Sequence, residues 1–224
     1  MARSFDRVIN SRLYKLGEAV GNVVIISALF ILFCLPVLTI GASLTALYYT
    51  VWKKYDQDSD SPYKDFMRAF KASLKDGIII HLIYSLYTAV VVFNIYFAFN
   101  GLGDIRLPDW YLLISLVPIF PVLFSMPFVY PLLARFDNNI RGTITNSFTL
   151  CMINFPKFFL IWIIVIVSLA VCIFFPPALF AVPTGAMYLT QQITEKAIKA
   201  AVSVERSRQE NAEEDTLEDV DDCQ

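Results

Sequence analysis

The side chains best able to do chemistry in this chain are few. They comprise one histidine, His81, and four cysteines, Cys34, Cys151, Cys172 and Cys223. A single imidazole cannot build a multi-histidine metal site. No Gly-x-Ser-x-Gly nucleophile elbow, Gly-x-x-x-x-Gly-Lys phosphate loop or His-Glu-x-x-His helix accompanies it. Asp137-Asn138-Asn139 resembles the start of a calcium loop, but the remaining ligands do not follow. The cysteines have no paired spacing, and Cys34 and Cys172 sit in apolar runs, where the thiol packs as a small hydrophobe. The expectation is therefore a protein that is not an enzyme and holds no cofactor or metal.

The elements that must position these residues are read from the charge pattern. Apolar residues make up 57% of the chain and charged residues 17%, against about 25% charge in a soluble domain. Four stretches lack Asp, Glu, Lys and Arg altogether: 34 residues after Glu18, 27 after Asp76, 25 after Asp109 and 37 after Lys157. A hydrocarbon core about 30 Å thick needs roughly 20 apolar residues as helix. Barrel strands would alternate apolar and polar residues, whereas Val23–Leu35 and Phe158–Phe175 are apolar almost throughout. The class is an all-α membrane protein. Its first partner is the lipid bilayer, and no nucleic acid is expected. The basic N-terminus is too long for a secretory signal and no small-x-small cleavage site follows it.

Two stretches fit single crossings, near 77–99 and 110–134. The first and last are too long for one helix and contain breakers, Pro36 in one and Pro176, Pro177 and Pro183 in the other. They are expected to be hairpins, 19–35 with 39–52 and 158–175 with 178–190. The whole is then a polytopic bundle of about six membrane elements in three hairpins. Both 39–52 and 178–190 are short for full spans and fit tilted or re-entrant segments equally well. With this threading 17 of the 18 Lys and Arg fall on one side, and only Arg106 lies opposite. The positive-inside rule makes that side the cytoplasm, with both termini on it.

The polar residues that enter the apolar stretches are small. Thr39, Gly41 and Thr45, between Pro36 and Tyr48, either allow close helix packing or line a cavity, and packing is the simpler reading. His81, about one turn inside its span, fits a packed or snorkelling histidine better than a proton relay. Asn94, deeper in that span, is suited to a hydrogen bond with a neighbouring helix.

Two connecting segments read as cytoplasmic amphipathic helices. In Pro62–Lys75, Tyr63, Phe66, Met67, Phe70 and Leu74 oppose Lys64, Arg68, Lys71 and Lys75, with Ser61 as N-cap. That helix either lies on an anionic leaflet or docks on the bundle. The second segment, 138–155, has Asp137 as its N-cap. Arg68, Lys71, Arg135 and Asp137 are the candidate cytoplasmic contacts. Pro36–Tyr48, Pro118–Tyr130 and Pro176–Tyr188 share a spacing of 12, as hairpins descended from one unit would, though chance matches arise easily in a chain with 11 Pro and 11 Tyr. Residues 1–204 form the membrane domain. Residues 205–224 carry 9 acids and 2 bases and are expected to form a disordered cytoplasmic tail.

Three blocks are familiar as a set: LPVLTIGASLTALYYTVWKK at 35–54, DFMRAFKASLKDG at 65–77 and LLARFDNN at 132–139. In order and separation they resemble the signature blocks of the YesL-like family of bacterial integral membrane proteins. The resemblance runs to about residue 195 and leaves the acidic tail outside. It implies a plasma-membrane domain of unknown function. Family members are often encoded beside carbohydrate ABC-transporter components and two-component regulators, so an accessory role in sugar uptake or its sensing is implied, with the transporter's membrane subunits as partners. No catalytic residue carries over. An autonomous small-solute transporter or channel is the alternative, and it would need a polar cavity near Thr39, Gly41 and Thr45.

Overall fold

A computed structural model describes residues 12–56, 61–101, 108–136 and 139–221. Among them every regular element is helical. Helix α1 is Arg12–Cys34, and the turn after Pro36 passes through a short 3-10 segment, Val37–Thr39, into α2, Ile40–Asp56. Helix α3 is Pro62–Asn100. A short α4, Asp109–Leu116, leads through a turn at Val117–Pro118 into α5, Ile119–Arg135. Then come α6, Ile140–Ile153, and α7, Phe155–Phe174. A second 3-10 segment, Pro176–Phe180, opens onto α8, Val182–Asp221.

Four helices are long and apolar enough to cross a bilayer: 17–34, 62–100, 110–135 and 155–174. The expected spans 39–52 and 178–190 correspond to α2 and the start of α8, and neither is in that set. The physical reason is visible for α2. Gly41, Ala42, Ser43, Thr45, Ala46, Leu47, Tyr48, Thr50 and Val51 are all buried, because α1, α3, α5 and α8 pack around it. A helix solvated by its neighbours needs no lipid-facing surface, so its composition stays polar.

The expected amphipathic helix and the span after it are one continuous helix. At 39 residues, α3 is about 58 Å long, close to twice the hydrocarbon thickness. Pro62 sits at its first position as expected, although Ser61 makes no side-chain cap bond. The apolar face of its first half is covered: Phe66, Ala69 and Phe70 join Ile26, Ala42, Ala46, Leu47 and Val51 in one core, with the Phe33 ring tilted against that of Phe70, centroids 4.5 Å apart. Phe66 and Phe70 are thus docked on the bundle and unavailable to a leaflet.

The last helix does not stop near Val204. It continues to Asp221, so the segment from 205, expected to be disordered, is helical up to that residue. Its Glu, Gln, Arg and Ala residues are good helix formers. Asp137, proposed as a cap and contact, lies outside the described residues; α6 starts after Asn139.

Each proline of the spaced triplet stands at the head of a helix: Pro36 before α2, Pro118 before α5, Pro176 before α8. These three helices touch one another. Helix α5 contains two further prolines, Pro127 and Pro131. Pro127 cannot donate to the Leu123 carbonyl one turn back. The Trp162 indole N–H of α7 donates to that carbonyl instead, at 3.2 Å, so the break becomes a contact between helices.

Candidate functional site

The residues singled out in 36–48 mostly fasten helices together. Thr39 Oγ lies 2.6 Å from the Phe33 carbonyl and 2.8 Å from that of Pro36, able to donate to either where α1 ends. Gly41 meets Gly77 of α3 at a crossing with no room for a side chain. A Cβ on Gly77 would stand 2.8 Å from the backbone of Ala42, and one on Gly41 would stand 2.8 Å from His81 Cβ. Thr45 is fully buried and donates to the Gly41 carbonyl at 2.9 Å. The close packing expected around Gly41 is present, and the backbone of α3 stands where the transporter alternative would need a cavity.

Tyr48 leads to a charged cluster inside the bundle. Its hydroxyl donates to Glu195 Oε1 of α8 at 3.5 Å. The same oxygen accepts from Arg135 Nη1 at the end of α5, and the Arg135 guanidinium stands 5.2 Å from the centre of the Trp52 ring. Lys199 Nζ approaches Glu195 Oε2 at 3.9 Å, one turn along α8. Glu195 is 6% exposed. Each of the three mutually packed helices thus supplies a member: Tyr48 and Trp52 from α2, Arg135 from α5, Glu195 from α8. A carboxylate taken out of water is tolerable only when paired and hydrogen-bonded, and here one guanidinium and one phenol do this. Beside it, Gln191 and Thr194 are also buried. A second ion pair, Lys53 Nζ to Asp65 Oδ1 at 2.6 Å, joins α2 to the first turn of α3. Both pairs lie at one end of the bundle, where α2 and α5 end and α3 begins.

Sequence reading reached Arg135 and Tyr48 but not Glu195, which it took for the first residue beyond an apolar stretch. A signal was present. Thr184, Gln191, Glu195 and Ile198 recur at helical spacing, and all four are buried. The other candidates separate. Arg68 and Lys71 are exposed, in line with Lys64 and Lys75, and they are not near the Glu195 cluster in any recorded contact. His81 Nδ1 is 3.3 Å from the Tyr130 hydroxyl, and Asn94 Nδ2 donates to Tyr111 Oη at 3.1 Å. Both polar groups link α3 to the α4–α5 unit. Burial pushes the Cys151 thiol up to about 11, which leaves it protonated at neutral pH and a poor nucleophile. Among the described residues no three His, Cys, Asp or Glu side chains gather as a metal site requires.

This fold, a bundle of long apolar helices joined by a few buried hydrogen bonds and ion pairs, is that of an all-α membrane protein. Residues 23–95 match a family described as proteins of unknown function, DUF624. The matched stretch takes in α1 from Val23, all of α2 and most of α3, and so contains the Gly41–Gly77 crossing and the Lys53–Asp65 pair but neither Arg135 nor Glu195. No curated protein and no solved structure matches the chain.

Proposed function

We propose that this chain is a non-enzymatic accessory or assembly subunit of the bacterial plasma membrane, with both termini in the cytoplasm, that docks on the membrane subunits of a carbohydrate ABC transporter. One observation carries the reading. The pairs Arg135–Glu195, Lys53–Asp65 and Tyr84–Ser125 join helix to helix, while Lys64, Arg68, Lys71 and Lys75 stand exposed in a row on α3, at the end where both ion pairs lie. A scaffold with a cationic face is built for contact with another protein. The blocks at 35–54, 65–77 and 132–139 add to this through their resemblance to YesL-like proteins, which are often encoded next to carbohydrate transporter components. The preponderance of Lys and Arg on one side of the threading supports the orientation.

The test is affinity purification of the full chain from its own host's membranes in a mild detergent. A permease subunit should be recovered in proportion, and replacing Lys64, Arg68, Lys71 and Lys75 by Glu should reduce that recovery at least tenfold without changing the amount inserted. Recovery with no membrane partner would overturn the proposal. Cysteine labelling that placed residues 53–75 outside the cell would overturn the orientation.

A further inference from the structure

The second half of α3 carries a groove that the proposed function leaves unused. It has a volume of about 440 Å3 and lies between Ile83, Tyr84 and Tyr87 of α3, Val122 and Ser125 of α5, and the face of α6 around Thr145. A smaller hollow of about 240 Å3 shares Tyr87 and continues along α3 to Asn94, against Tyr111 and Pro118. The two form a track from Ile83 to Asn94, about 16 Å along the helix axis. That is close to half of a hydrocarbon core about 30 Å thick, and it is centred in the uncharged 77–99 stretch, at the depth of acyl chains and not of headgroups.

From this geometry we infer that the track is a binding site for a single acyl chain of a membrane phospholipid. Its walls are mainly aliphatic and aromatic, and the hydroxyls of Tyr84, Tyr87 and Ser125 that line it are already engaged. Tyr84 Oη donates to Ser125 Oγ at 2.7 Å, Ser125 donates to the Pro121 carbonyl at 2.6 Å, and Tyr87 Oη donates to the Pro118 carbonyl at 2.9 Å. Such walls offer a guest mainly apolar contact. The track opens onto the exposed face of α3, where Leu86, Val90 and Phe93 are each more than half exposed, in a stretch free of charge from Gly77 onward. The groove is thus continuous with the surface that lipid already solvates. Size excludes a partner helix as the occupant. One turn of helix about 10 Å across fills about 420 Å3, so the larger hollow would take a single turn. A hydrocarbon chain is narrow enough to run its whole length, and each methylene withdrawn into such a site adds apolar contact.

The experiment uses the full chain in phosphatidylethanolamine and phosphatidylglycerol vesicles containing a phosphatidylglycerol with a diazirine on one acyl chain. After irradiation, the adducts are mapped by peptide mass spectrometry. Adducts should concentrate on peptides containing Ile83–Tyr87 and Ile144–Phe148, at least fivefold above the exposed Val167–Val171 face of α7. Thr145→Phe fills the groove from α6 at an exposed position and should lower groove adducts at least fivefold while leaving α7 adducts unchanged. Ile83→Trp fills it from the opposite wall and should do the same, so a folding defect in one variant does not decide the outcome. Even labelling over α3 and α7, or full labelling in both variants, would overturn the inference. So would a protein cross-link replacing lipid at Ile83–Tyr87 in native membranes.

Discussion

The two halves of α3 are built for different surroundings although they form one helix. From Pro62 to His81 the helix is amphipathic. Phe66 and Phe70 are enclosed by α1 and α2, Asp65 is held by Lys53, and Gly77 lets the backbone of α2 approach directly. From Leu82 to Asn100 nearly every side chain is apolar, and Leu86, Val90 and Phe93 point outward with no protein neighbour covering most of their surface. The first half is stable because specific groups fit; the second because lipid accepts any apolar surface. Substitutions should therefore be felt in the first half and absorbed in the second.

The largest effect is expected at the helix crossing. Gly77→Leu places a branched side chain where a single added carbon already meets the Ala42 backbone, and overpacking of this kind costs about 3 kcal/mol or more. It should abolish accumulation of the folded protein, read by fluorescence-detected size exclusion in detergent. The matched change in the lipid-facing half, Val90→Leu, should leave the profile and melting temperature unchanged. A similar response to both would erase the distinction between the halves.

The charged cluster comes next. Arg135→Ala leaves Glu195 buried without its guanidinium, a loss of up to about 3–5 kcal/mol, seen as a fall in melting temperature. The double variant Arg135→Met with Glu195→Leu should recover most of it, since two apolar groups need no pairing. Failure of the double variant to recover would mean that the pair does more than compensate itself.

Sequence alone went far in the second half and less far in the first. The apolar stretch from Gly77 needs only length and the absence of charge to be read as a span, and the structure places an apolar helix there. The same logic left α2 open: Gly41, Ser43, Thr45 and Thr50 fit a short span or a segment held inside the bundle, because composition cannot say whether a helix faces lipid or other helices. Glu195 was missed for a related reason. Its value as a site member comes from Tyr48 and Arg135, which lie 147 and 60 residues away in sequence.

Smaller predictions sharpen the boundary between the halves. Trp162→Phe removes the donor that serves the Leu123 carbonyl and should cost about 1–2 kcal/mol. With Pro127→Ala in the same chain the cost should vanish, because residue 127 then donates to that carbonyl itself. Asn94→Leu lies in the lipid-facing half and breaks one interhelical hydrogen bond, worth about 0.6 kcal/mol. Its melting temperature should shift by little more than the error of the measurement, and a large drop would show that this half also depends on specific fit.

What the residues determined unaided is the solvent of each stretch. Long uncharged runs and prolines at the turns specify apolar helices and the points where they break, since those are local or one-dimensional properties. Only tertiary structure decided which helix would be wrapped by the others, and that one carboxylate would meet one guanidinium and one phenol. These depend on how distant helix faces come together, and neither hydropathy nor propensity records a distance between faces.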